Sequence, residues 1–185
     1  FYAAWGVAQG LATPFYPVIL VQYLGLSFST VSWLTTLSSL ASILTAPLWG
    51  RWEDRVGQPR AIGVLALGLA SVPLWYLLGG KLGLPPLILG HVVYGSSSMG
   101  MNLANQTLNM RLAPREDRTS YFAFFAAATG LTGFLTPVLV GPLTGSHLAQ
   151  LFVCSALLSA TLSLFWVLRL EARVEAQMGT LVTSK

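Results

Sequence analysis

The chain is 185 residues long, 54% hydrophobic and 9% charged, with a net charge of +4. Soluble domains carry about a quarter charged residues, so this chain, with a mean hydropathy of +0.67, has too little charge to cover a water-exposed surface, which excludes the soluble globular classes. The net positive charge does not indicate a nucleic-acid partner, because the basic residues sit in short segments between apolar stretches and form no basic surface with stacking aromatics.

Residues 1–50, 61–80, 82–110 and 119–168 carry no charge at all. About 20 apolar residues cross a bilayer, and one 50-residue helix would overshoot it about twofold, so each long stretch must hold two helices. The prediction is an all-α polytopic membrane protein, a single six-helix bundle over 1–185 with helices at about 2–24, 29–49, 61–79, 86–109, 119–141 and 148–168. A tail, 169–185, follows.

Helix 1 places Tyr2, Trp5, Gln9, Thr13 and Tyr16 on one stripe, and Pro14 and Pro17 remove backbone donors, which predicts a kink between Gly10 and Tyr16. Such a kink either opens carbonyls to a substrate or serves packing alone. The chain starts at Phe1 without a basic leader, so helix 1 is not read as a signal peptide and the start is read as a cut edge. Gly25-Leu26-Ser27 breaks the chain before helix 2, whose Thr35, Ser38, Ser42 and Thr45 either face a cavity or bond their own backbone.

Between helices 2 and 3 runs Gly50-Arg51-Trp52-Glu53-Asp54-Arg55-Val56-Gly57-Gln58-Pro59-Arg60. Gly50 lets helix ends approach, Asp54 and Arg55 can bond neighbouring helix termini, and Gly57 permits a tight turn. Helix 3 carries scarcely anything polar beyond Ser71. Helix 4 carries His91, Tyr94, Ser98, Asn102, Asn105 and Asn109 at steps of 3, 4, 4, 3 and 4, a single polar stripe. Polar groups in a membrane face the bundle interior or a wet cavity, so this stripe is read as pathway lining, with inter-helix hydrogen bonds as the competing reading. His91 either relays protons or sits neutral against a neighbouring helix. Helix 5 shows Thr129, Thr132 and Thr136, and helix 6 Ser155, Ser159 and Ser163. Helices 1, 2, 4 and 5 are therefore expected to line a passage and helices 3 and 6 to face lipid. The tail alternates Arg169, Glu171, Arg173 and Glu175 with apolar residues, either a short helix along the membrane surface or side chains snorkelling at a helix end.

Six spans put both termini on one side. Nine of the ten basic residues (Arg51, Arg55, Arg60, Arg111, Arg115, Arg118, Arg169, Arg173, Lys185) share that side and only Lys81 lies opposite, so the positive-inside rule predicts a plasma or inner membrane protein with cytoplasmic termini. Cys154 is the single cysteine, which excludes a disulfide framework or cysteine metal site, and no cofactor is expected.

The segment after helix 2 resembles the signature loop of the major facilitator superfamily, G-x-x-x-D-R-x-G-R-[RK]: Gly50, Asp54, Arg55 and Gly57 match, Gln58 and Pro59 depart, and Arg60 follows. In helix 5, Thr136-Pro137-Val138-Leu139-Val140-Gly141 is similar to a degraded G-P-x-x-G-G element of that family, and helix 4 has His91 where the family's amino-terminal half often has an arginine. The resemblance implies the carboxyl-terminal half of a transporter that pairs with a missing amino-terminal six-helix half or a second copy. It implies alternating access, in which Asp54 holds the helix-5 end of the opposite half, while Glu116-Asp117-Arg118-Thr119-Ser120 offers its own free N–H groups to the partner's acid. The expected function is movement of a small organic solute, with efflux of amphipathic compounds favoured. Gln9, Thr13, Tyr16, Thr35, His91, Tyr94, Ser98, Asn102 and Thr132 are the candidate pathway residues, and Gly50, Asp54, Arg55, Gly57 and Arg60 the gate. Membrane lipids and a small-molecule substrate are the other partners. An intramembrane enzyme is not supported, since Gly95-Ser96-Ser97-Ser98 lacks the closing glycine of a serine nucleophile motif and the spans hold no carboxylate. A non-transporting scaffold or inactive fragment is the alternative.

Overall fold

A computed structural model describes residues 1–114 and 116–170, with the side chains of 143–146 and 170 left aside. Arg115 and the expected surface helix of the tail after Leu170 lie outside the described residues. Among these, all regular structure is helical. The first segment, α1, is a broken helix over Tyr2–Tyr23. It is regular over Tyr2–Gly10, tightens to a 3-10 turn at Thr13–Phe15, and ends in a π turn at Ile19–Tyr23. Pro14 and Pro17 cannot donate to the helical ladder, and the irregularity begins where they remove it.

Helices α2 (Phe28–Val56), α3 (Gln58–Leu82) and α4 (Leu84–Leu112) follow with almost no intervening loop. Single glycines make the turns, Gly57 at φ 88° and Gly83 at φ 79°, a conformation that costs other residues steric strain. The Ser27 hydroxyl caps α2 by accepting the Thr30 N–H at 3.2 Å. Helix α5 spans Arg118–Val140, and α6 spans Thr144–Phe165, continued by a π turn at Trp166–Leu170. Within α6, His147 is non-helical (φ −123°), so the regular part starts near the predicted 148.

Helix α2 runs seven residues past the predicted end at 49, so most of the charged signature segment is helical and only Gly57 turns. Hydropathy marks where lipid would end, not where the backbone ladder ends, and nothing in Arg51–Val56 breaks a helix.

The centre of the bundle is the α3–α4 pair, with α2 packed on α4, α6 on α3, and α1 wedged against α5 and α6. Two apolar clusters hold it. One gathers Trp5, Ile62, Leu65, Leu69, Met101, Leu108 and Trp166; the other gathers Tyr16, Leu20, Leu34, Val72, Tyr76, Leu87 and Phe152. Small residues set the closest contacts, as expected where lipid supplies no hydrophobic drive between helices. At Gly95 the α4 backbone meets the Ser38 backbone of α2, leaving no room for a Cβ. Two hydroxyls lock the same crossing: Ser38 donates to the His91 carbonyl at 2.9 Å and Ser42 to the Gly95 carbonyl at 2.7 Å.

Among the described residues five helices, all but α4, are long and apolar enough to cross a membrane; α4 has 29 residues, but its polar stripe dilutes its hydropathy. Their cover differs widely, with 56% of the apolar window of α3 buried against 17% for α2 and 6% for α5. The expectation that helix 3 only faces lipid is therefore corrected. Val64, Leu67, Leu74 and Leu78 are exposed, but Ile62, Leu65, Leu69, Val72 and Tyr76 on the opposite side are buried. Apolar side chains suit lipid and neighbouring helices equally, so composition alone could not separate the two faces.

Candidate functional site

A cavity of about 280 Å³ opens between α1, α2, α3 and α4, in the half of the bundle nearer Lys81. Its wall includes Thr13, Tyr16, Thr35, His91, Tyr94 and Ser98 from the candidate pathway residues, brought together from three helices. The α1 irregularity turns Thr13, Tyr16 and Pro17 onto it. All of its lining residues lack a formal charge at neutrality, and His91 is the one that can take a positive charge. Among the described residues no cluster of His, Cys, Asp or Glu could hold a metal ion.

The inner wall is an aromatic and imidazole array. Tyr16 stacks on Tyr76 with ring centroids 4.2 Å apart and meets Tyr94 and Phe152 edge-on. His91 Nδ1 lies 2.8 Å from the Leu87 carbonyl and Nε2 lies 3.1 Å from the Tyr76 hydroxyl. A carbonyl only accepts, so Nδ1 carries the hydrogen; in the neutral imidazole Nε2 then accepts from Tyr76. The Tyr16 hydroxyl is buried and has no hydrogen-bond partner.

Helix 3, in which the sequence marks scarcely anything polar beyond Ser71, supplies Tyr76 to this wall. A signal existed: α3 and α4 form a hairpin about Gly83, and Tyr76 and His91 lie nearly equidistant from that turn, which places them side by side.

The remaining pathway candidates lie elsewhere. Gln9 donates to Ser159 of α6 at 3.3 Å. Thr132 bonds the backbone carbonyls of Ala128 and Thr129, and its hydroxyl packs where Gly6 of α1 leaves space. Asn102 is exposed. The helix-4 stripe thus divides: His91, Tyr94 and Ser98 face the cavity, while Asn105 accepts from Tyr2 at 2.8 Å and Asn109 from Tyr121 at 3.3 Å, both inter-helix bonds. Helix α5 is absent from the cavity wall.

At the opposite, basic end, Asp54 and Arg55 are exposed near the end of α2, and Gly57 makes the turn. Gly50 lies in the helix with nothing close to it, and Arg60 lies exposed in the first turn of α3. Glu53, beside Asp54, is buried and points one carboxylate oxygen at no partner. Gln58 and Pro59, where the chain departs from the signature's basic pair, are also buried, and Trp166 donates to the Pro59 carbonyl at 2.7 Å. A lysine or arginine would be interior there. The start of α5 is exposed and its Asp117 side chain makes no cap, so its first N–H groups have no side-chain partner at Asp117.

The family model of the Major Facilitator Superfamily matches residues 2–180. The chain belongs to this superfamily. It is 29% identical over 156 residues to the class E tetracycline resistance protein of Escherichia coli, covering 83% of this chain and 36% of that protein. It is 31% identical over 159 residues to a multi-drug resistance efflux pump PmrA homolog of Lactococcus lactis subsp. lactis (strain IL1403), covering 80% and 35%. It is also 30% identical over 172 residues to the class D tetracycline resistance protein of Salmonella ordonez, covering 90% and 42%. The chain thus spans 35% to 42% of the length of these relatives. No solved structure matches it significantly. Superfamily membership, with its apolar helices, makes this a multi-pass membrane protein, and the superfamily and these relatives are not enzymes.

Proposed function

We propose that this chain is one six-helix half of a secondary transporter, crossing the plasma or inner membrane six times with both ends cytoplasmic, and that it moves a small organic solute by alternating access. The observation that carries the reading is the placement of the signature residues. Asp54 and Arg55 are exposed at the end of α2, the helix that, with α5, its own bundle covers least. A second six-helix half, or a second copy, laid against α2 and α5 would bring Asp54 to a helix end of that half and close a passage over the cavity. The efflux relatives support export of amphipathic compounds as the direction.

In this scheme Asp54 favours the state closed at the basic end through the partner helix dipole, a contribution of about 0.3 to 1 kcal/mol and up to ~2 when partly buried. Replacing Asp54→Asn in the intact protein removes it and shifts the two-state balance about two- to fivefold or more. Flux in sealed vesicles and thiol accessibility at the basic end are the measurements. Unchanged flux with unchanged accessibility removes the gating role. Absence of flux for every amphipathic solute in the intact protein favours a scaffold or inactive fragment instead.

A further inference from the structure

The hydrogen-bonding state of the cavity says what it can hold. A hydroxyl offers one hydrogen and two lone pairs. Around this cavity the hydrogens are already engaged with the protein: Thr35 donates to the Val31 carbonyl at 3.0 Å, Ser39 to the Thr35 carbonyl at 3.2 Å, Ser98 to the Gly95 carbonyl at 3.2 Å, and Ser38 and Ser42 across to α4. With neutral His91, the Tyr76 hydrogen goes to the imidazole. What these oxygens leave for an occupant is lone pairs. The hydroxyls of Tyr94 and Tyr16 are not engaged in this way, and that of Tyr16 is buried in a residue 6% exposed. No lysine or arginine lines the space, and the tyrosine rings form its apolar wall.

We propose that the cavity takes an uncharged organic molecule with a ring to lie against the tyrosines and hydroxyl or amine hydrogens to donate to the serine and threonine oxygens. Anions are disfavoured, because no cation lines the space and most of its oxygens offer lone pairs. At about 280 Å³ the site lies near the lower end of small-molecule pockets, which run from about 300 to 1,000 Å³. This rests on the reading of the cavity as part of a solute passage and adds the chemistry by which it selects.

The test uses the complete protein that carries these residues, in detergent, with three probes of one shape: resorcinol, 1,3-dimethoxybenzene and 3-hydroxybenzoate. Binding is read by saturation-transfer NMR titration. Resorcinol should bind at least tenfold more tightly than the dimethyl ether, which has no donors, or the anion, since a site built to pair a hydroxyl rejects analogues that leave it unpaired. Ser39→Ala removes one of these acceptors and should weaken resorcinol about two- to tenfold. Thr35→Val, which is near isosteric, gives a second reading in case the first variant folds poorly, and should weaken it about twofold or more. Equal binding of the ether or the anion, no binding of resorcinol, or unchanged affinity in both variants overturns the proposal. Vesicle flux separates the two claims: flux without resorcinol binding leaves the transport reading standing and removes this one, and binding without flux does the reverse.

Discussion

Gly95→Ala probes the crossing that holds the cavity together. A Cβ built at Gly95 would lie 2.7 Å from the Ser38 carbonyl carbon and 2.9 Å from its Cα, and closer still to the carbonyl oxygen. All three atoms belong to the backbone of α2, so no side chain can swing aside. The helices must separate by about 1 Å, an overpacking that costs typically 1–3 kcal/mol. The same movement stretches the Ser38 and Ser42 hydrogen bonds to α4, each worth about 0.6 kcal/mol between membrane helices. The expected destabilisation is therefore about 2–4 kcal/mol. Ser42→Ala, which removes one inter-helix bond without a clash, should cost about 0.6 kcal/mol and serves as the control. Reversible unfolding of the purified protein in bicelles, by steric trapping, gives both values. A Gly95→Ala loss no larger than that of Ser42→Ala would refute the argument that backbone contact fixes this crossing.

The two stacked tyrosines should respond oppositely to loss of the hydroxyl. Tyr76→Phe strands His91 Nε2 and should cost about 1–3 kcal/mol, whereas Tyr16→Phe removes an unpartnered group and should be neutral or stabilising, both read by thermal unfolding in detergent. Gly57→Ala forces φ 88° on a residue with a Cβ and should destabilise the α2–α3 turn by about 1–2 kcal/mol in the same assay. For topology, Arg55→Cys and Lys81→Cys in a Cys154→Ser background should label oppositely with an impermeant thiol reagent, Lys81→Cys from outside the cell and Arg55→Cys only after lysis. Labelling of Arg55→Cys in intact cells would reverse the orientation and the whole gating scheme.

The sequence by itself determined the helical class and the superfamily, because each depends on properties local in the chain. Charge cannot remain in lipid, prolines remove donors where they stand, and the Asp54-Arg55 motif is read in line. The cavity wall was half legible, since Thr13, Tyr16, Thr35, His91, Tyr94 and Ser98 were all marked by polarity at helical spacing. What the spacing could not reveal is which marked residues meet. Gln9, Thr132, Asn105 and Asn109 have the same polar signature as the cavity residues, yet they bind neighbouring helices or their own backbone. Only the packing of α3 against α4 brought Tyr76 to His91, and only the burial of Glu53, Gln58 and Pro59 separated interior from exposed positions within the signature segment. Periodicity states which direction a side chain takes from its own helix axis; the helix that stands there is a long-range fact, and tertiary structure decides it.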